Sequence, residues 1–217
     1  MNSTIPYNMD GEFSTECRTI IRRLKTCDID KIKKSPSLML KFYPIRNPDN
    51  VNTVFDEVYT MVNESILKKT YKFRLFYFID VFLSSTKVPA YVTAAYLKRL
   101  ARLTLEAKPK SLVAILRIVN NLFVRHPLLV SLRDRVDEKA RELETKSETC
   151  TLRQWLQADP FDVEERVNLK ATNAMESCIW ELMPLRYHDH PKVAKEACFL
   201  SEKNIPEIEC DLSDLLI

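Results

Sequence analysis

The chain has almost no glycine: Gly11 is the single glycine among 217 residues. Loops that cradle nucleotide phosphates need glycine, because glycine lets the backbone take positive φ and approach a ligand closely. Two-residue hairpin turns also favour Asn-Gly or Asp-Gly. The shortage therefore argues against nucleotide-dependent enzymes and hairpin-rich proteins. It favours helices joined by polar or proline-marked turns.

Long apolar runs and paired cysteines are missing as well. The longest apolar segment, Leu75–Leu83, is interrupted by Asp80 and is far shorter than the roughly 20 residues that a membrane-spanning helix needs. The six cysteines include no C-x-x-C pair, so their spacing fits neither a zinc site nor a disulfide framework. We expect no membrane partner, and reduced, packed thiols in an intracellular protein.

Charge is distributed unevenly although the net charge is only +3. Residues 85–125 contain eight basic residues and one acidic residue, whereas residues 201–217 contain five acidic residues and one basic residue. A net charge this small does not select a partner class by itself. The expected interaction surface is therefore local, and its candidates are the basic residues Lys98, Arg99, Arg102, Lys108 and Lys110.

Apolar residues recur at three- and four-residue spacing along much of the chain, which predicts helices. The predicted helices are Val51–Ile66, Lys68–Ser84, Pro89–Glu106, Ser111–Arg125, Leu169–Tyr187 and Pro191–Ser201. The fourth is apolar on nearly all sides, so it should be buried between neighbours. Short turns between helices of similar length predict an all-α fold, an α-solenoid of HEAT-like antiparallel helix pairs. A compact bundle is the alternative.

The predicted domain organisation has three parts. Residues 1–46 form a weakly ordered N-terminal leader, residues 47–201 form the helical-repeat domain, and residues 202–217 form an acidic C-terminal tail. A charged insert at about 131–157 interrupts the domain. Within this insert, Asp134–Lys146 is charged enough to be either a solvated helix or a mobile segment.

The sequence predicts no catalytic residue, no metal ligand and no cofactor site. His188 and His190 flank Asp189 before a proline, which is better explained as a turn than as a metal site. His126 is expected to satisfy carbonyl groups left free at a helix end. Cysteine–histidine catalysis stays open in principle, since its partners need only meet in space, but no cysteine is singled out.

An ordered set of short motifs carries a family resemblance. They are Phe82–Ser85, Val88–Tyr91, Tyr96–Leu103, Asn121-Leu122 with Arg125–Pro127, Asp159–Asp162, Glu176–Leu182 and His188–Val193. Each is weak alone. In this order, over roughly residues 70–195, they resemble the CCAAT-binding-factor domain of the nucleolar complex protein four family.

The resemblance implies an α-helical repeat fold without catalysis, located in the nucleus and nucleolus. It implies a role in small ribosomal subunit biogenesis, within the small-subunit processome, with nucleolar protein 14 as the protein partner. It also suggests that the turn Asp159–Asp162 docks onto the helix carrying Trp180. The family usually has further helical repeats, so we expect a fragment or a shortened member. The alternative function is a HEAT-like adaptor in another nuclear or cytosolic complex.

The basic residues from Lys98 to Lys110 have two interpretations. One is a solvated helix face. The other, given the resemblance, is contact with pre-rRNA phosphates or with an acidic protein segment, because lysine and arginine bind phosphate without reading sequence. Aromatic residues fall mainly on predicted core faces, so sequence-specific recognition of RNA bases is not expected.

Overall fold

A computed structural model describes residues 58–86, 88–144 and 151–202, together with residues 22, 56 and 208. Within these residues the chain is helical and contains no strand, which confirms the all-α prediction. The α-helices are α1 (Lys72–Phe82), α2 (Ala90–Leu103), α3 (Pro109–Arg125), α4 (Val130–Glu144), α5 (Leu152–Ala158) and α6 (Pro191–Glu196). The 3-10 helices are Glu64–Lys68, Pro127–Leu129, Ala174–Glu176, Trp180–Tyr187 and Cys198–Ser201.

Prolines mark the starts of three of the described α-helices. α2 follows Pro89, and α3 and α6 begin at Pro109 and Pro191. Proline suits the first turn of a helix, because its missing N–H would have no partner there and its fixed φ is already helical. The two helices predicted to start at Pro89 and Ser111 therefore lie within two residues of the observed starts.

Helix α3 lies at the centre of the described fold. It packs against α1, α2 and α6, and its apolar side chains are fully buried at Ala114, Ile115, Leu116, Ile118, Val119 and Leu122. The prediction that this helix is buried is confirmed. A helix that is apolar all round needs neighbours on every side, and these three helices provide them.

The helix predicted at Leu169–Tyr187 is wrong. The structure contains two 3-10 helices there, Ala174–Glu176 and Trp180–Tyr187, separated by extended backbone. Asn173 adopts the left-handed conformation, with φ 54°, which asparagine tolerates better than most residues. Pro184 lies inside the second 3-10 helix and has no N–H to donate. These two residues prevent a continuous α-helix.

Other parts of the sequence-based organisation differ in their outcome. The charged stretch after Ser131 forms α4, whose Leu132, Val136 and Leu143 are buried, so the helix is the observed alternative. The helix predicted at Val51–Ile66 begins outside the described residues. The predicted leader, residues 1–46, lies outside them except for residue 22. The domain boundaries and the solenoid arrangement of helix pairs stay predictions.

Among the described residues, no single helix has the length and apolar character to cross a bilayer; α3 and the segment Pro127–Glu144 meet that test together as a pair bent by 113°, on length and composition only.

Candidate functional site

Four charged side chains, of which Arg102 alone keeps some exposure, meet between α2 and the irregular segment that follows α5. We call them the charge cluster: Lys98 and Arg102 on α2, Asp159 after α5, and Glu181 in the 3-10 helix Trp180–Tyr187. The Lys98 side chain is 0% exposed. The formal charges of the charge cluster balance, two positive and two negative. Balance matters because an unpaired charge in such a place would cost several kcal/mol (roughly 3–5).

Lys98 uses its full donor capacity inside the cluster. Its Nζ donates to Asp159 Oδ2 at 2.8 Å, to Glu181 Oε1 at 2.6 Å and to the Cys178 carbonyl at 2.6 Å. An ammonium group has three donors and no acceptor. All three hydrogens therefore have partners, and every partner comes from the segment docked on α2.

Arg102 bridges the same two carboxylates one helical turn further along α2. Its Nη2 donates to Asp159 Oδ2 at 2.7 Å, and its Nε lies 3.0 Å from Glu181 Oε1. Residues four apart lie on one face of a helix. The spacing of Lys98 and Arg102 therefore presents two cations side by side to two acids.

Asp159 is the most highly connected member of the cluster. Besides its two ion pairs, it accepts hydrogen bonds from Trp180 Nε1 at 2.8 Å, from the Phe161 amide at 3.1 Å and from the Ser177 hydroxyl. Burial opposes ionisation of Asp159, but the charge of Lys98 and the hydrogen bonds that the carboxylate accepts outweigh burial, so its pKa is lowered. Asp159 is ionised at neutral pH.

The pKa of Glu181 shifts in the opposite direction to that of Asp159. Burial raises the pKa of Glu181 even though Lys98 and Arg102 favour its charged form. Its Oε1 forms ion pairs with both Lys98 and Arg102, whereas its Oε2 is buried with no hydrogen-bond partner. The two acids thus differ in solvation by the protein, and Asp159 is the one whose charge the cluster stabilises more.

Stacked tryptophans cover the cluster. The rings of Trp155 and Trp180 lie 5.6 Å apart at 19°, and the Arg102 guanidinium lies 4.9 Å from the Trp180 ring centroid. Beside them is a cleft of about 270 Å³ between α4, α5 and the segment 159–180. Its lining includes Arg135, Lys139, Glu142, Trp155, Glu176 and Trp180.

The predicted basic surface is wrong for its first three residues. Lys98 and Arg99 are buried at 0% and 3% exposure, and the Arg102 side chain is only 13% exposed. The segment 159–187 covers Lys98 and Arg102, and the Arg99 guanidinium lies 4.3 Å from the Tyr59 ring centroid. These side chains cannot form a solvated face. Lys108 and Lys110 are exposed, so their role in partner or RNA contact stays a prediction.

Two other sequence-based interpretations describe real contacts. The turn at Asp159 docks onto the helix carrying Trp180, as its carboxylate accepts the indole N–H; that helix is of the 3-10 type. His126 Nε2 donates to the carbonyl of Leu83 at 2.7 Å, where Leu83 is the residue that ends α1. A carbonyl can only accept, so this nitrogen carries the proton.

Titratable groups elsewhere show no reactive arrangement within the described residues. His188 Nδ1 accepts from the His190 amide at 2.9 Å, a local turn contact. Burial raises the pKa of the Cys178 thiol, which disfavours the reactive thiolate. No group of three or more His, Cys, Asp or Glu side chains is placed to hold a metal ion in the described part of the chain.

Comparison with known proteins identifies the family. Residues 36–197 match the CBF/Mak21 family. The chain belongs to the CBF/Mak21 family. It is 36% identical over 162 residues to "Nucleolar complex protein 4 homolog" of Gallus gallus, 35% over 155 residues to the Homo sapiens protein of the same name, and 34% over 140 residues to "Nucleolar complex protein 4" of Saccharomyces cerevisiae.

These relatives are much longer than the region that they share with this chain. The matches cover 75%, 71% and 64% of this chain, but only 29%, 27% and 25% of the chicken, human and yeast proteins, respectively. The matched family region contains the whole charge cluster, from Lys98 to Glu181. The resemblance expressed by the ordered motifs is therefore confirmed.

Proposed function

We propose that the chain is a non-catalytic nucleolar scaffold in small ribosomal subunit biogenesis, acting in pre-rRNA processing and assembly by binding a protein partner. Membership of the CBF/Mak21 family and relatives named nucleolar complex protein 4 support a role in the nucleolus and in ribosome biogenesis. The predicted nuclear and nucleolar location is confirmed by those relatives. The small-subunit step and the partner are the finer part of the proposal.

The charge cluster is the observation that carries the scaffold role. Its acids and bases are paired with one another, and its members come from α2 and from the segment after α5. Such a buried, balanced group fixes the position of a segment that has little regular structure. Trp180 of this segment stacks on Trp155, and both rings line the adjacent cleft. Preorganised aromatic side chains are typical anchors of protein interfaces.

Nucleolar protein 14 is the partner proposed for this surface, following the family resemblance. The Trp155 cleft replaces the face of Lys98, Arg99 and Arg102 as the candidate contact, because Lys98 and Arg99 are buried and the Arg102 side chain is mostly covered. Lys108 and Lys110, at the start of α3, are the remaining candidates for contact with pre-rRNA phosphates. Contact of this kind would weaken steeply with salt.

Affinity capture of the full chain tests the proposal. Tagged wild-type chain, expressed in cells, should recover nucleolar protein 14 and small-subunit precursors by mass spectrometry and RNA sequencing. Trp155→Ala should reduce recovery of the protein partner at least tenfold, because it removes the half-buried ring that lines the cleft. The control is Val167→Ala, which alters an exposed apolar side chain outside the cleft and should leave recovery unchanged.

Two outcomes would overturn the proposal at different levels. A wild-type chain that recovers neither nucleolar protein 14 nor small-subunit precursors, and is spread through the cytosol, would favour the adaptor alternative. Recovery unchanged by Trp155→Ala would leave the scaffold role standing and remove the cleft as its surface. Lys108→Glu with Lys110→Glu should lower RNA recovery alone.

A further inference from the structure

A buried asparagine on α3 binds the backbone of Ile208, a residue of the acidic stretch 202–217. The Asn121 side chain is 0% exposed. Its Nδ2 donates to the carbonyl of Ile208 at 2.8 Å, and its Oδ1 accepts from the Ile208 amide at 2.8 Å. Both contacts go to main-chain atoms of one residue. This pairing resembles the exchange of hydrogen bonds between neighbouring strands, in which a residue presents its N–H and C=O to the same side.

The hydrogen-bonding capacity of Asn121 shows that the tail completes a built site. A carboxamide has two donor hydrogens and an oxygen that can accept twice. Asp80 Oδ1 takes the second Nδ2 hydrogen at 3.2 Å, and Asn120 Nδ2 lies 3.5 Å from the oxygen. Without residue 208, one donor and one acceptor of a buried amide would lose their partners. Leaving such groups unmet costs about 1–3 kcal/mol each.

Neighbouring side chains fix the orientation of the amide. Asp80 is buried at 4% exposure and receives the Arg125 guanidinium at 3.0 Å, and Arg125 also donates to the Asp80 carbonyl at 2.9 Å. The Asp80 Oδ1 atom accepts hydrogen bonds from both Arg125 and Asn121. Because a carboxylate oxygen can only accept, the Asn121 amide turns its nitrogen toward Asp80. The remaining hydrogen and lone pair then point to the tail.

A second main-chain contact lies at the beginning of the tail. Arg133 on α4 donates to the carbonyl of Glu202 at 2.9 Å. Five residues lie between Glu202 and Ile208. The backbone is therefore held by side chains of the helices at residues 202 and 208. The sequence around Ile208 is acidic, with Glu207 and Glu209 on either side. The basic Arg125 is paired with Asp80, which contacts Asn121.

We propose that Asn121, oriented by Asp80 and Arg125, is a main-chain binding site for an acidic peptide segment, and that Ile208 of this chain occupies it. The site recognises peptide N–H and C=O groups, as in other modes where an extended peptide binds through its backbone. Affinity then depends on residue 208 having an N–H, and little on its side chain. The proposal is independent of the partner and subcellular role proposed above.

The test opens the site in the full chain and fills it from outside. In an Ile208→Pro chain, residue 208 has no N–H, so its own tail should vacate the site. A fluorescently labelled synthetic peptide with the sequence of residues 203–217 should bind this chain at least tenfold more tightly than it binds wild type, where the attached tail competes at high effective concentration. Fluorescence anisotropy measures both affinities.

A variant on the peptide keeps the test independent of folding. The same peptide with proline in place of Ile208 should bind the Ile208→Pro chain at least tenfold more weakly. Asn121→Leu combined with Ile208→Pro should likewise lose binding, with circular dichroism showing that it is folded. Equal binding to wild type and Ile208→Pro, equal binding of the two peptides, or no binding by the opened chain would each overturn the proposal.

Discussion

Two regions of the described chain are buried by different means. Helices α1, α2 and α3 meet through apolar side chains, such as Leu97 and Leu116, that are completely removed from solvent. The segment 159–187 has only short 3-10 helices. It also buries apolar side chains, such as Ile179 and Leu182, in the same core, but one lysine and one arginine of α2 join it through two acids. The contacts among the three helices are broad and mostly apolar, whereas the contact with this segment adds a concentrated ionic cluster.

The two kinds of burial differ in how much stability a single substitution removes. Apolar burial is spread over many contacts and is roughly proportional to area, so a single change weakens the entire core by a limited amount. A buried ionic cluster depends on every member, because removing one leaves the others desolvated and unpaired. We therefore expect the segment 159–187 to detach as a unit when one charge is lost.

Asp159→Asn should give the largest effect. Asparagine keeps the shape, but its single oxygen can accept from only one of Trp180 and the Phe161 amide, which donate to different oxygens of Asp159. It also leaves Lys98 and Arg102 facing one acid. Removing one partner of a buried ion pair costs about 3–5 kcal/mol. Urea denaturation followed by tryptophan fluorescence measures the loss. Asp162→Asn is the control, since Asp162 is exposed and accepts only backbone amide hydrogens among the contacts resolved for it; a loss equal to that of Asp159→Asn would contradict the account.

Leu116→Ala should give a somewhat smaller and more uniform effect. Leu116 is fully buried on α3, and truncating a buried leucine costs about 2–5 kcal/mol, depending on how far the cavity collapses. Circular dichroism of the helices and tryptophan fluorescence of the 155–180 region should report the same shift. A variant in which tryptophan fluorescence changes well before helicity would show that the core does not hold both regions.

Asp56→Asn should give the smallest effect, visible in its pH dependence. Burial, and secondarily the charge of Glu165, raise the pKa of Asp56 from 3.8 to about 7. The folded chain therefore holds a proton that the unfolded chain releases between these values, so stability falls as pH rises from about 4 to about 7. Thermal melts across this range should show that fall in wild type. The Asp56→Asn chain should lack this part of the slope, and an identical slope would contradict the assignment.

Local pattern was enough for α3, failed at Leu169–Tyr187 and was insufficient for the charge cluster. The fourth predicted helix, Ser111–Arg125, differs from α3 by two residues because its apolar composition and proline boundary are local features. At Leu169–Tyr187 the apolar spacing was equally helical, but Asn173 and Pro184 interrupt the helix. Apolar spacing alone therefore does not predict a helix where such residues break the run.

The charge cluster depends on partners that are distant in the chain. Lys98 lies 61 residues from Asp159 and 83 residues from Glu181, so nothing near Lys98 in sequence distinguishes a buried cation from a solvated one. The signal that was present is chemical: the two acids lie in the motifs Asp159–Asp162 and Glu176–Leu182, beside Trp180. Pairing these acids with the cations of the motif Tyr96–Leu103 would have indicated the cluster.

Amide hydrogen exchange of the full chain carrying Asp159→Asn measures most directly whether the charge cluster holds the segment 159–187 on the helices. The amide of Ile179 donates to the Leu132 carbonyl and that of Asp162 to the Thr172 carbonyl, so both should be protected in wild type. Asp159→Asn should speed their exchange at least about 100-fold, while α3 amides change far less. An equal acceleration in α3, or unchanged exchange at Ile179, would contradict this role of the charge cluster.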